Sequence, residues 1–181
     1  MNPIAHAELS WLLAQPLQER RHRALVTVAG VLPDLDGLTL LSFPWDRGQA
    51  YGELHHLLTH GALAAGGVTA LAWTLSRTER LRTAVLACAA FHLHLLCDLL
   101  GSGREWPIFY WHPFGEHATA PFAFGWELAS WQNMVIAELA TAAILVLGVV
   151  RGRTIVETLS RRADGEVVKA LRDFATRVRS R

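Results

Sequence analysis

The stretch TAVLACAAFHLHLLCDLL, Thr83–Leu100, is apolar except for Thr83, His92, His94 and Asp98. It approaches the ~20 apolar residues that a helix needs to cross a hydrocarbon core, and it equally suits the buried central helix of a soluble protein. Which of the two holds decides the fold. On a helix, His94 and Asp98 stand at i and i+4, with Cβ atoms about 5–6 Å apart on one face. That spacing suits a shared ion. A lone histidine on an apolar helix is usually a core residue with a satisfied hydrogen bond. Ionisable groups inside a spanning segment are candidate functional residues.

Working outward, two more segments look alike. Leu57–Leu75 carries only threonine and one histidine as polar intruders, and Met134–Val150 only Glu138 and Thr141. Ala24–Val31 is shorter and is closed by Pro33, Asp34 and Asp36. The amphipathic Ile4–Leu17 pairs with Ala24–Leu32 as a helical hairpin turning at the basic QERRHR. The chain has 181 residues, 51% hydrophobic and 18% charged, against ~25% charged in ordinary soluble proteins. The expected fold is therefore all-α: a polytopic membrane helical bundle with a short N-terminal hairpin and three longer helices. Cys88 and Cys97 lie about 13 Å apart along one helix, too far for a disulfide. The opening MNPIAHAELSWLLAQP lacks the basic start of a signal peptide.

The basic residues favour the membrane over the soluble alternative. Of 17 Lys and Arg, three are Arg20, Arg21 and Arg23, three are Arg77, Arg80 and Arg82, and nine follow Val150. Threading the segments alternately through a bilayer puts all of these on one side, which the positive-inside rule names cytoplasmic. The chain is thus expected in the inner membrane, multi-pass, with a cytoplasmic C-terminus. Residues 1–152 form a membrane-embedded domain, and 153–181 a basic amphipathic tail. In that tail Val167, Val168, Leu171, Phe174, Ala175 and Val178 recur at helical spacing. They suit a helix on an anionic membrane surface and equally a helix packed on its own domain. A net charge of +1 and the lack of interleaved basic and aromatic residues exclude nucleic acid as an expected partner.

The same threading brings most histidines to the opposite, non-cytoplasmic end, with Asp34, Asp36 and Asp98. The candidate metal ligands are His6, Asp34, Asp36, His55, His60, His94 and Asp98. His56 and His60 share the i, i+4 spacing; His56, His112, His117, His92 and Glu138 are weaker candidates. Mixed histidine and carboxylate ligands suit zinc, manganese or iron, and their number allows one to three ions. Asp34 or Asp36 can bridge ions or take a proton from water. No Cys-x-x-Cys, P-loop, GxGxxG or GxSxG is present.

LPDLDG (32–37), HHLLTHG (55–61) and HLHLLCDLL (92–100) together resemble the membrane-bound metal-dependent hydrolase family, YdjM-like. Its pattern runs as an early His, LPD-x-D, H-x4-H ending in Thr-His-Ser, and H-x3-D. The arrangement is also similar to that of the zinc-dependent phospholipases C. The resemblance covers roughly residues 4 to 115, carried by the same seven residues. This chain departs from it at Gly37, where histidine is common, at His56–Leu57, where Arg-Gly is common, and at Gly61 in place of serine. The resemblance implies a divalent metal, foremost zinc, and metal-assisted hydrolysis of an ester or phosphoester in a lipid-like substrate at the bilayer. Two other classes stay open: a metal transporter, and a structural or regulatory membrane protein stapled by metal. The oligomeric state is not legible.

Overall fold

The computed structural model describes residues 1–38, 56–57 and 59–180. Among these, the chain is all-helical. It has helices α1 (Pro3–Leu13), α2 (Arg20–Val31), α3 (Ala62–Leu75), α4 (Arg80–Gly101), α5 (Trp131–Arg151) and α6 (Arg161–Arg179), with 3-10 turns at Leu32–Leu38 and Ile155–Thr158. The long segment between α4 and α5 holds one isolated bridge, Ile108 to Thr119.

The N-terminal hairpin forms as expected, with its turn shifted. Asn2 caps α1 by accepting from the Ala5 amide at 2.9 Å, and Pro3 occupies the first helical position, where a missing N–H costs nothing. The chain reverses over residues 14–19, and the basic run forms the first turn of α2 rather than the reversal. The reason lies in Arg23, whose guanidinium donates to the Leu17 and Gln18 carbonyls at 2.9 and 2.8 Å and so closes the turn from inside the helix.

The core is built from small residues. Ala87, Ala90, Phe91 and Leu95 of α4 pack on Val26 and Ala29 of α2 and on Ala65, Val68 and Ala72 of α3. Gly30 permits the closest approach, since a Cβ there would sit 1.8 Å from Ser10 Oγ of α1. A second cluster joins Ala5 of α1 to Cys97 of α4, with Ile136 and Ala137 of α5 against it. Both cysteines are free.

Two helices, α4 and α5, are long and apolar enough to cross a membrane. The third expected span falls short: α3 has 14 residues and starts at Ala62, not Leu57. Its start is set by tertiary contact, because the Ala62 amide donates to the Tyr110 carbonyl at 2.7 Å and Gly61 before it is extended. Half of the apolar stretch of α4 is buried, but only 22% of that of α5. Met134, Leu139, Val146 and Val150 of α5 face outward, an apolar surface larger than water-facing helices carry. Helix α6 packs on α5 and the second 3-10 turn. It buries Val168 and sets Leu171 near Gly148, while Phe174 and Val178 stay exposed.

Candidate metal centre

The end of α2, the turn after it, the start of α3 and the C-terminal half of α4 meet at one buried cluster. One ligand atom from each of Asp34, His60, His94 and Asp98 lies within 4.8 Å of the others, so these four residues could hold a metal ion.

Their positioning is local and specific. His94 and Asp98 share one face of α4, with Nε2 2.9 Å from Oδ2. The other ring nitrogen of His94, Nδ1, donates to the Gly30 carbonyl at 2.8 Å, at the point where α1, α2 and α4 come closest. His60 precedes α3, with Nδ1 3.3 Å from Asp36 Oδ2. The Nδ1 atoms of both histidines thus face acceptors, an arrangement that fixes the ring of a ligating histidine through its other nitrogen. Their Nε2 atoms then point at each other across 3.3 Å. Asp34 Oδ1 lies 3.6 Å from His94 Nε2. The buried oxygens Asp34 Oδ2 and Asp98 Oδ2 have no aligned hydrogen-bond donor, although nitrogens stand close to the latter. Two imidazole nitrogens and two carboxylate oxygens converging on one point are what a cation fits once the histidines are deprotonated, and this donor set suits zinc, manganese or iron.

The two oxygens of Asp98 divide their tasks. Oδ1 accepts from the N-terminal ammonium of Met1 at 2.6 Å and from Ser102 Oγ at 2.9 Å, and it lies 3.2 Å from His6 Nε2. Oδ2 faces the cluster. His6 stacks on His94 with centroids 3.7 Å apart, flanking the four-residue set from outside. Burial, the largest influence, and His94 together outweigh Asp98 and lower the pKa of His6 below the usual histidine value. At His60 burial also opposes charge, but hydrogen bonds and fields from Asp36 and Asp98 outweigh it and raise the pKa.

Of the seven residues expected from sequence, Asp34, His60, His94 and Asp98 form the set, and His6 and Asp36 border it. His55 lies outside the described residues. Asp36 Oδ2 accepts from the His56 amide at 3.2 Å and from Thr59 Oγ1 at 3.0 Å, so it organises the segment that delivers His60. The i, i+4 reading of His56 and His60 is corrected: both precede α3, and His56 has a positive φ of 68°, unusual for a side chain with a Cβ. Yet His56 is buried here, its ring 4.3 Å from that of His60 and its Nε2 3.8 Å from Asp98 Oδ2. Thr59 and the Gly30 carbonyl are contributors that sequence reasoning missed. His92 instead bonds Tyr110 Oη at 2.9 Å. No described side-chain contact joins His112 or His117 to the cluster.

Gly61 explains one departure from the resemblance, since a Cβ there would lie 3.1 Å from the Tyr110 carbonyl. The loop over the cluster leaves little room for the serine of the related pattern.

The chain matches the YdjM inner membrane protein family over residues 1–162 and belongs to it. No match was found among curated proteins or among solved structures. The family and the two apolar helices point to a location in the membrane.

Proposed function

We propose that this YdjM family member is a polytopic inner-membrane, metal-dependent hydrolase acting on an ester or phosphoester of a lipid-like substrate. The observation that carries the reading is the convergence of His60 Nε2, His94 Nε2, Asp98 Oδ2 and Asp34 Oδ1, with both histidine Nδ1 atoms already facing acceptors. Asp34, His60, His94 and Asp98 would hold the ion, zinc foremost. Bound there, it would supply Lewis acidity, lowering the pKa of water and polarising the scissile group.

The two aspartates of LPDLDG then take different roles. Asp36 is buried and engaged with His60, Thr59 and the His56 amide, and it positions His60. Asp34 is the most accessible of the four, its side chain 16% exposed against 3% or less for the others, and its Oδ2 lacks a donor. In this reading Asp34 is the carboxylate that receives a proton from attacking water. Trp111, Phe114 and Phe124 are exposed on the loop beyond α4, as suits a surface that meets lipid at an interface.

Topology supports the same picture. Arg20 and Arg23 at the start of α2 and Arg153 after α5 meet the Gln15–Gln18 turn and Glu157, at the end remote from His94. By the positive-inside rule that end is cytoplasmic and the metal centre non-cytoplasmic.

The near-complete burial of His60, His94 and Asp98 favours a second reading, a metal staple that holds the bundle together without turnover. Metal analysis of purified protein, with lipid phosphodiesterase assays on wild type, Asp34→Asn and His94→Ala, separates the two. A hydrolase loses turnover in Asp34→Asn at matched metal loading. A staple shows no turnover in any form and unfolds on chelation. Wild type that retains no metal, with His94→Ala unchanged in stability and activity, refutes both.

A further inference from the structure

The end of the bundle remote from the metal centre carries a cleft of about 660 Å³ lined by arginines from α2 and from the segment after α5. Its acidic residues are already engaged. Glu157 takes two hydrogen bonds of 2.6 Å from Arg23 and one of 3.0 Å from Trp11 Nε1. Asp164 accepts from the Thr154 amide and hydroxyl at 2.8 and 2.6 Å, and Glu19 accepts from the Thr78 hydroxyl.

The cations are not matched in the same way. Among the described residues, Arg21, Arg153 and Arg161 have no carboxylate within ion-pair distance. Arg153 is held only by Gln15, through Oε1 at 3.1 Å and the carbonyl at 3.4 Å. Burial, then the charge of Arg23, outweighs the attraction of Glu157 and lowers its pKa from the ordinary guanidinium value, an unfavourable setting that a bound anion would relieve. Helix α2 begins at this cleft with no side chain capping its first turn, so its dipole adds to the positive field.

An apolar groove of about 380 Å³ adjoins the cleft, lined by Thr27, Val28, Val31 and Leu35 on one side and Ile155 and Leu159 on the other. No residue lines both, but both are built on α2 and the Ile155–Thr158 turn. Arg20, Arg23, Thr27 and Val31 follow one another at three- and four-residue spacing along a single face of α2, polar end first. Glu157 borders the cleft while its neighbours Val156 and Thr158 border the groove. Twelve helical residues give the shared face about 18 Å of length, enough for much of a fatty-acyl chain. A cationic cleft followed along the same helix by an apolar groove matches an amphiphile with an anionic head. Inorganic phosphate would leave the groove unused, and a polyanion would find no continuation for its charge there.

We propose that cleft and groove together bind one anionic phospholipid, its phosphate among Arg21, Arg153 and Arg161 and an acyl chain along Val28, Val31 and Leu35. The arginine cleft lies away from the metal centre, although the groove runs up to Leu35, between Asp34 and Asp36; the proposal does not depend on the hydrolase reading.

The test uses the full chain in a neutral detergent, with bound ligands counted by native mass spectrometry. Dioctanoyl phosphatidylglycerol, dioctanoyl phosphatidylcholine and inorganic phosphate are titrated in parallel. The glycerol lipid is expected to fill one site, more tightly than the choline lipid and far more tightly than phosphate. Each basic residue contributes about a fivefold factor toward an anionic lipid surface, so Arg21→Gln/Arg161→Gln weakens binding by about 25-fold. Both side chains are exposed, so folding is not at stake. Val28→Trp, which fills the groove, weakens both lipids and leaves phosphate unaffected. Equal binding of the two lipids overturns the proposal. So does phosphate binding as tightly as the lipid, which makes the cleft a soluble-anion site, and so does indifference to either variant.

Discussion

Asp36 offers the sharpest test of how the metal centre is organised. Three of its polar contacts run through Oδ2, to His60 at 3.3 Å, Thr59 at 3.0 Å and the His56 amide at 3.2 Å. None of the four converging ligand atoms belongs to it. Asp36→Asn keeps one acceptor oxygen and loses the charge; Asp36→Ala loses both. Removing a group that orients a ligand in this way typically lowers metal affinity 10- to 100-fold, about 1.4–2.8 kcal/mol. Asparagine is expected near the lower figure and alanine near the upper, with metal stoichiometry unchanged in both. The pH profile gives a second signature. Asp36 and Asp98 raise the pKa of His60, so without an ion the ring holds its proton at a pH where a free histidine has lost it. Binding must expel that proton, so wild-type affinity rises with pH and levels off only above the raised pKa. Asp36→Asn removes part of the upward shift and moves the levelling point to lower pH, even as affinity at high pH falls. Competition titration of apo protein against a zinc-sensitive chelator, from pH 5.5 to 8.5, reads both effects. Stoichiometry that drops to zero would make Asp36 itself a ligand. An affinity within twofold of wild type, with the pH profile unmoved, would remove its positioning role.

Gly30→Ala forces a methyl group into Ser10; overpacking of this kind costs about 1–3 kcal/mol, and chemical denaturation in micelles should show that loss and its rescue by Ser10→Gly. Arg23→Ala strands the buried Glu157 carboxylate and is expected to cost about 3–5 kcal/mol, whereas Arg23→Met/Glu157→Leu recovers part of it, the Leu17 and Gln18 carbonyls and the Trp11 N–H staying unpaired. A double variant as unstable as the single one would show that the ion pair is not the source. His92→Phe keeps its metal content, because His92 bonds Tyr110 and stands outside the cluster; metal loss in that variant would redraw the ligand set.

What was legible in the sequence depended on how local its cause is. His94 and Asp98 were legible together because four residues on a helix fix their relation, whatever packs around them. The hairpin was legible because an amphipathic segment and a short apolar one must cover each other. Helix α3 was misjudged at its start because its first hydrogen bond to the rest of the fold comes from the Tyr110 carbonyl, nearly fifty residues away in sequence. The same contact takes His56 and His60 off the helix, so a spacing argument valid within α4 did not carry over. The Gly30 carbonyl that orients His94 could not be found from side-chain chemistry at all, since any residue offers a carbonyl.

That carbonyl ties the metal centre to the packing of the bundle. Gly30 lets α2 approach both Ser10 of α1 and Ala90 of α4, and its own oxygen, near the C-terminal end of α2, is left to accept from His94. Four residues at a helix C-terminus lack intrahelical partners for their carbonyls, so α2 presents acceptors where the centre needs them, while its opposite end presents the positive pole to the arginine cleft. Helix α2 therefore serves both ends through one polarity, with the ligand-orienting carbonyl at one terminus and the anion-attracting field at the other. A change that tilts α2, such as Gly30→Ala, should disturb the two sites unequally. Metal affinity depends on a 2.8 Å hydrogen bond to His94 and should fall with the tilt. Lipid binding rests largely on the exposed guanidinium groups of Arg21 and Arg161 and should persist. Measuring both on the same Gly30→Ala preparation decides the point: equal loss at the two ends would mean that the helix unfolds rather than tilts.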